Sequence, residues 1–483
     1  MSGLCLKYTV KKVFLVKRRN NIMQNKNQSL LSNKNNSVHL VGIGGVSMSA
    51  LAEALLARGL SVRGSDMNNG IYAERLRALG ISVAEGHNAE NVDGADVVIR
   101  TSAIKDDNPE IVRARELGIP VLERAEAWGI IMDEFPEVIC ISGTHGKTST
   151  TAMTTCIALA ADRDPEVMIG ADMREIGGVV RIADGDLFIA EACEYCNSFH
   201  NFRPTISIIL NVEEDHLDFF SGIDDIIDSF SKFICNTKKS GMVIVNGDDK
   251  NALEAVKRSG REAITFGLSE NADVTAKNIT YKNGYPSFTL VCKGDEITDI
   301  RLSVLGEHNI KNSLAAAAAA LSMRIKPDII AKALGAFTGV GRRMEYKGEY
   351  NGAKVYDDYA HHPSEIETTL NAVRRANNGR IICIFQPHTY TRTAALKDDF
   401  AKALSLADKV ILSDIFAARE KNTIGIDSSA IGEKMTNAVC ISGFDNIVDE
   451  LEKIVVEDDF VLSMGAGDIY KVAEKLCERN KNG

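Results

Sequence analysis

Near residue 140 the chain reads EVICISGTHGKTSTTAM. An apolar run, Val138 to Ile141, ends in Ser142-Gly143-Thr144-His145-Gly146-Lys147-Thr148-Ser149. A glycine-rich turn closed by Lys-Thr, after a strand and at a helix start, is the pattern of a phosphate-binding loop. Successive backbone N–H groups cradle phosphate oxygens, the lysine adds a point charge, and the threonine hydroxyl can hold Mg2+. The strict pattern wants one more glycine where Ile141 stands, so this loop is the shorter Gly-x-x-Gly-Lys-Thr. Gly143 to Ser149 are therefore expected to bind a nucleoside triphosphate.

Other reactive residues fall at comparable places. LFIAEACEYCNSF sets Glu191 and Glu194 just past an apolar run, and IILNVEEDHLDFF does the same with Glu213, Glu214, Asp215, His216 and Asp218. One such acidic loop alone would read as solvated surface. Two of them after a phosphate loop point to Mg2+, which takes a few oxygen ligands and keeps waters. GEHNIKNSLAA opens a helix with His308, Asn309 and Asn312, VYDDYAHHPSEI carries Asp358, Tyr359, His361 and His362, and FQPHTYTRTAAL carries His388 and Arg392. Arg342 and Arg343 precede the last two segments at a domain joint. Polar groups this dense at strand ends predict a cleft between two domains.

Nearer the start, HLVGIGGVSMSALAEALLARG reads as strand, glycine turn and helix. The dinucleotide pattern Gly42-x-Gly44-x-x-Gly fails at Ser47, but Asp66 stands about where a ribose-binding carboxylate belongs. The turn, including Gly44 and Gly45, fits a nucleotide diphosphate at a helix N-terminus. Ser47 and the second nucleotide loop disfavour an NAD-dependent dehydrogenase.

The elements that must position these residues are short apolar runs alternating with longer helical patterns. VHLVGIGG, DVVIRTSA, VICISGTHG, LFIAEAC, TISIILNV, MVIVNGDD, IICIFQPH, KVILSDIF and FVLSMGAG are continuous rather than alternating. Such strands are buried on both faces, in parallel sheets covered by helices. Ligands of those sheets bind at the carboxyl ends of the strands. Residues 269–306 look like antiparallel β structure, and NSLAAAAAALSM like a helix packed closely on a sheet. The expected order is a basic leader without a fold of its own (1–36), a Rossmann-like domain (37–136), a central ATP-binding domain (137–340) and a second Rossmann-like domain (341–483).

Composition is consistent with this. The chain has 483 residues, 45% hydrophobic and 25% charged, as in multidomain globular proteins. The net charge is −10, and the leader holds eight Lys or Arg and no acid, so the remainder carries −18. That argues against nucleic acid as a partner. No apolar run reaches the roughly 18 residues of a membrane span. Ten cysteines are scattered, with Cys140, Cys383 and Cys440 in apolar runs, as buried free thiols would be. Cys193-x-x-Cys196 lacks a second pair at zinc-ligand spacing.

Taken together, GTHGKTSTT, EACE, NVEEDHLD, GEHNIKNSLAA, GVGRRMEY, DDYAHHPSEI, QPHTYTRT and GAGDIY resemble the Mur ligases, from about Val38 to the C-terminus. DDYAHHPSEI, QPHTYTRT and GAGDIY are similar to the branch that adds L-alanine to UDP-N-acetylmuramate. The resemblance implies a three-domain α/β fold: a domain for the UDP-sugar, a central ATPase domain and a C-terminal Rossmann-like domain. It implies ATP and Mg2+, with Mn2+ able to substitute, in a cytoplasmic bacterial enzyme, monomer or homodimer, that activates a carboxyl as an acyl phosphate. By motif, Lys147 contacts the β/γ-phosphates, Thr148, Glu191 and His216 hold the metal, and His308, Asn309 and Asn312 meet adenine and ribose. Arg343 and Asp358 reach ATP on closure, and Tyr359, His361, His388 and Arg392 line the acceptor side. Ser65, Asp66, His87 and Ser102 hold the UDP part. Lys147, His216, Arg343 and His361 are the implied catalytic set. Thr389 stands where some members carry an arginine.

Overall fold

The computed structural model describes residues 29–481 apart from 217, 218 and 419. The expectation for most of the leader, and for Asp218, lies outside the described residues.

Three sheets follow one another along the chain. The first has five parallel strands in the order Ser82–Glu85, Ser61–Asp66, Ser37–Val41, Val97–Arg100, Val121–Glu123. The order reverses between the second pair of central strands, Ser37–Val41 and Val97–Arg100, which is where such a sheet leaves a ligand crevice. The glycine turn follows one of these strands and Ser102 follows the other. Gly64 makes the turn possible, because a Cβ there would collide with the Leu40 carbonyl and Ile43.

The central sheet has ten strands, in the order Asp295–Arg301, Tyr285–Cys292, Val274–Lys282, Ile264–Phe266, Met242–Asn246, Ile206–Ile209, Glu137–Ser142, Leu187–Glu191, Glu166–Met173, Gly178–Arg181. Its middle is parallel. The first three strands form the expected antiparallel meander, and the last pair is antiparallel too. The strand feeding the phosphate loop lies between the strands that feed the two acidic loops. All three carboxyl ends therefore open on one rim. The alanine-rich helix, Glu307–Ser322, lies over this sheet with Ala315 to Ala320 fully or almost fully buried.

The third sheet runs Glu345–Tyr350, Ala353–Asp358, Phe460–Met464, Ile381–Phe385, Lys409–Leu412, Ala438–Cys440, parallel except for its first pair. Cys140 and Cys383 are buried, but Cys440 is exposed, because its strand is the edge of this sheet.

The chain before Ser37 packs on the fold. The leader does not stop short of the fold at residue 36: Leu31 is 2% exposed within the core shared by the first and central domains, and Asn36 Nδ2 donates to the Leu30 carbonyl at 2.8 Å. That core also joins the two domains. Helix Arg124–Met132 places Trp128 edge-on to Phe188 of the central sheet at 6.0 Å, with Phe135 at 5.2 Å from the same ring.

Candidate active site

Helix Lys147–Ala160 begins at Gly146, whose φ of 82° and whose closeness to Asn312 both demand glycine; a Cβ would lie 2.7 Å from Asn312 Oδ1. Asn312, expected near the nucleotide, is thereby set against the phosphate loop. The Thr144 and His145 amides donate to the Asn211 carbonyl and to Asn211 Oδ1, at 3.1 and 2.7 Å. In this conformation those two amides are engaged by Asn211. Asn211 was not singled out from the sequence, although it begins NVEEDHLD.

Lys147 Nζ is folded back, donating to the Gly143 and Thr144 carbonyls at 2.5 and 3.0 Å and to Glu194 Oε2 at 3.0 Å. Burial alone would lower its pKa, but Glu194, Cys193 and Glu191 outweigh that and raise it. The ammonium is thus charged and held by the Glu194 carboxylate. Thr148 Oγ1 donates to Glu191 Oε2 at 3.0 Å, so the two expected oxygen ligands adjoin. His216 is not joined to that pair. Its Nε2 lies 3.9 Å from Glu194 and 3.8 Å from Asp215, and its ring is 4.6 Å from that of Tyr195. His216 has a φ of 54°.

Facing this rim across a cavity of about 540 Å³ are groups of the third domain. His308, Asn309, Asn312, Arg343 and Asp358 all line it. His308 Nδ1 is buried without a hydrogen-bond partner, and burial, with Arg343 adding, lowers its pKa to about 4. Burial raises the Asp358 carboxyl to about 6 against the opposing Arg343. Arg343 stacks on the Tyr359 ring at 4.9 Å. Arg342, by contrast, is spent on structure, bonding Asp357 and the carbonyls of Gly465 and Gly467.

The acceptor-side residues converge as well. Arg392 NH2 donates to Asp215 at 2.9 Å across the domain boundary. Burial would raise Asp215, yet His216 and Arg392 hold it well below the usual carboxylate range. The rings of His361 and His388 are 6.0 Å apart, and burial lowers both to about 4. His361 Nδ1 faces the Tyr359 carbonyl at 3.1 Å and Glu365 Oε2 at 3.3 Å, which assigns the proton to Nδ1 and a lone pair to Nε2. Thr389 serves as an N-cap, its hydroxyl accepting from the Arg392 amide at 3.4 Å.

In the first domain, Gly44 N donates to Asp66 Oδ2 at 2.9 Å, so the carboxylate braces the glycine turn. Ser65 is 0% exposed and donates to buried Glu110 at 2.6 Å, with His87 3.1 Å from its hydroxyl. Its hydroxyl is thus engaged within the first domain. Ser102 is exposed after its strand. Arg124, not picked out from the sequence, donates to Ser47 Oγ beside the same turn.

Three linked α/β domains, with a phosphate loop in the middle one and a basic and imidazole-bearing face of the third closing on it, define an ATP-dependent ligase. The chain belongs to the Mur ligase family. A family model for the Mur ligase family catalytic domain matches residues 37–136, one for the Mur ligase middle domain residues 141–320, and one for the Mur ligase glutamate ligase domain residues 342–467. A UDP-N-acetylmuramate–L-alanine ligase of Acetivibrio thermocellus is 46% identical over 92% of this chain and 96% of its own. Its counterpart from Clostridium novyi is 44% identical over 93% and 99%. The solved UDP-N-acetylmuramate–alanine ligase of Thermotoga maritima superposes with a TM-score of 0.79 at 30% identity, covering 92% of this chain and 99% of that one.

Proposed function

We propose that this chain joins L-alanine to the lactyl carboxyl of UDP-N-acetylmuramate at the expense of ATP, the first peptide step of peptidoglycan precursor synthesis. The observation that carries the reading is the opposition of Gly146, Thr148 and Ser149 of the phosphate loop on one wall of the cavity to Arg343 and Asp358 on the other, with Glu191 hydrogen-bonded to Thr148. A carboxylate resists nucleophiles until one oxygen becomes a good leaving group. Its oxygen attacks the γ-phosphorus, ADP leaves, and the acyl phosphate then takes the amine at carbon and expels inorganic phosphate. Two anions must meet in the first step, so cations fixed in advance lower its barrier. Lys147 supplies one, exchanging Glu194 for phosphate oxygens. Arg343, which has no carboxylate hydrogen bond among the described residues, supplies another from the third domain.

His308 Nδ1, unpartnered in the cavity wall, together with Asn309 and Asn312, suits the base and ribose. His361 is uncharged at neutral pH, and its Nε2 lone pair can accept a hydrogen bond from the incoming amine. Gly44, Gly45, Asp66, His87 and Ser102 frame the crevice for the UDP part, with Ser65 behind them. Tyr359, His388 and Arg392 form the alanine side. Thr148 and Glu191 offer adjoining hard oxygens, which fit Mg2+, with Mn2+ able to substitute. Bound there, the ion would supply charge neutralisation on the phosphates. His216 acts from beside Glu194. No helix among the described residues is long and apolar enough to cross a membrane, and we assign the enzyme to the bacterial cytoplasm, as monomer or homodimer.

The recycling ligases of the same family, which attach an intact tripeptide, are the rival. The 44–46% identity to alanine ligases favours the present reading. Phosphate release with ATP, UDP-N-acetylmuramate and single amino acids or the tripeptide decides between them. Release is expected with L-alanine; release with the tripeptide alone would overturn the assignment.

A further inference from the structure

A second cluster of donors lies at the joint of the central and third domains. His145, Glu213 and His362 each offer one ligand atom, all within 4.8 Å of one another. His145 Nε2 is 3.4 Å from Glu213 Oε2, and Ser364 Oγ is 3.2 Å from that nitrogen and 3.3 Å from that oxygen. The two Ser364 separations are long for hydroxyl hydrogen bonds, which centre at about 2.7–2.8 Å. The His145–Glu213 separation matches the edge, roughly 3.3–3.4 Å, of a tetrahedron around a cation bonded at about 2.0–2.1 Å. His362 Nδ1 approaches the same hydroxyl at 2.8 Å.

A second observation points the same way. The far nitrogen of His145, Nδ1, faces Glu365 Oε1 at 2.9 Å. A carboxylate behind an imidazole fixes its tautomer and leaves the opposite nitrogen to a metal. Two imidazoles and one carboxylate suit a borderline cation such as Zn2+, and suit Mg2+ poorly.

We propose that His145, Glu213 and His362 form a site for a zinc-class divalent cation, distinct from the oxygen pair of Thr148 and Glu191. His145 belongs to the phosphate loop and His362 to the third domain. A cation held between them ties the third domain to the loop, a staple across the cavity that nucleotide must enter and leave.

The test is Zn2+ titration of the chelator-stripped full chain, without ATP, in competition with a chromophoric chelator. Co2+ absorbance serves as the signature of geometry. Wild type is expected to bind a single Zn2+ and to give tetrahedral Co2+ bands without thiolate charge transfer. Affinity should fall at least about tenfold in His362→Ala and Glu213→Gln, and about 10–100-fold in Glu365→Gln. Exchanging Cys193 and Cys196 for Ser should change nothing. The Glu213 side chain is 43% exposed, so its variant is expected to fold, and its melting curve checks that. Unchanged affinity in the His362 and Glu213 variants would overturn the proposal. So would a thiolate band that disappears with the cysteines. No turnover is read, so the outcome is separate from that of the ligase assignment.

Discussion

At the scale of single residues, Lys147 and Glu191 carry the sharpest expectations. Lys147 is charged, buried and held by Glu194, and a γ-phosphoryl group would gain that charge most as it departs. Lys147→Ala is expected to lower turnover at least about 100-fold; steady-state phosphate release measures it, and near-normal turnover would sink the role. For the metal, Thr148 and Glu191 adjoin while His216 leans on Glu194. Glu191→Gln should therefore raise the Mg2+ needed for half-maximal turnover at least about tenfold, since a neutral amide binds a hard cation weakly. His216→Ala should raise it less. Mg2+ titration at saturating ATP compares the two, and an inverted order would return His216 to the metal.

Among the elements, the seam between helix Val46–Ala57 and strand Glu166–Met173 has a pH dependence. Arg58, just past the helix, donates to Glu166 at 3.1 Å. Burial pushes the Glu166 carboxyl up to about 7, against the opposing Arg58. Its folded value then lies above the ordinary 4.5, so between these two values the folded state holds more protons than the unfolded. Stability must fall as pH rises through that window. Glu166→Gln removes the titration and should flatten the decline between about pH 5 and about pH 7. Melting temperatures across that range check it, and a decline as steep as wild type would refute it. The helical turn before the first strand matters too. Leu31→Ala is expected to cost about 2–5 kcal/mol, as deletion of a buried leucine side chain does. Urea unfolding reads that loss, and a change under about 0.5 kcal/mol would show that the core closes over the gap.

The whole molecule works as two bodies across one cavity. The first and central domains share a continuous core. The third has cores of its own and meets the central domain through polar contacts, Arg392 with Asp215 of the acidic loop and Glu365 with His145 of the phosphate loop. Polar seams of this kind open and reclose more readily than shared cores. If Arg343 and Asp358 complete the nucleotide site, as proposed, closing the seam would join two half-sites. Scattering from the ligand-free protein is expected to show a larger radius of gyration than with an ATP analogue and UDP-N-acetylmuramate. Identical profiles would count against movement.

What the sequence determined by itself is local. Parallel strands buried on both faces are written as unbroken β-branched runs, so the strands, their carboxyl ends and the residues just past them could be read directly. The phosphate loop, the acidic loops and the imidazole-bearing third-domain segments were legible for that reason, and so was the alanine-rich helix. Direction and partnership were not. Ser65 and Asp66 are neighbours, yet one is sealed against Glu110 and the other braces the glycine turn. Cys440 sits in an apolar run but at a sheet edge. His145 stands in a phosphate motif, while its ring turns to Glu365, 220 positions away in the chain. Periodicity reports which residues an element buries. Which side chain meets which across elements depends on strand order and domain docking, and only the tertiary structure decided that.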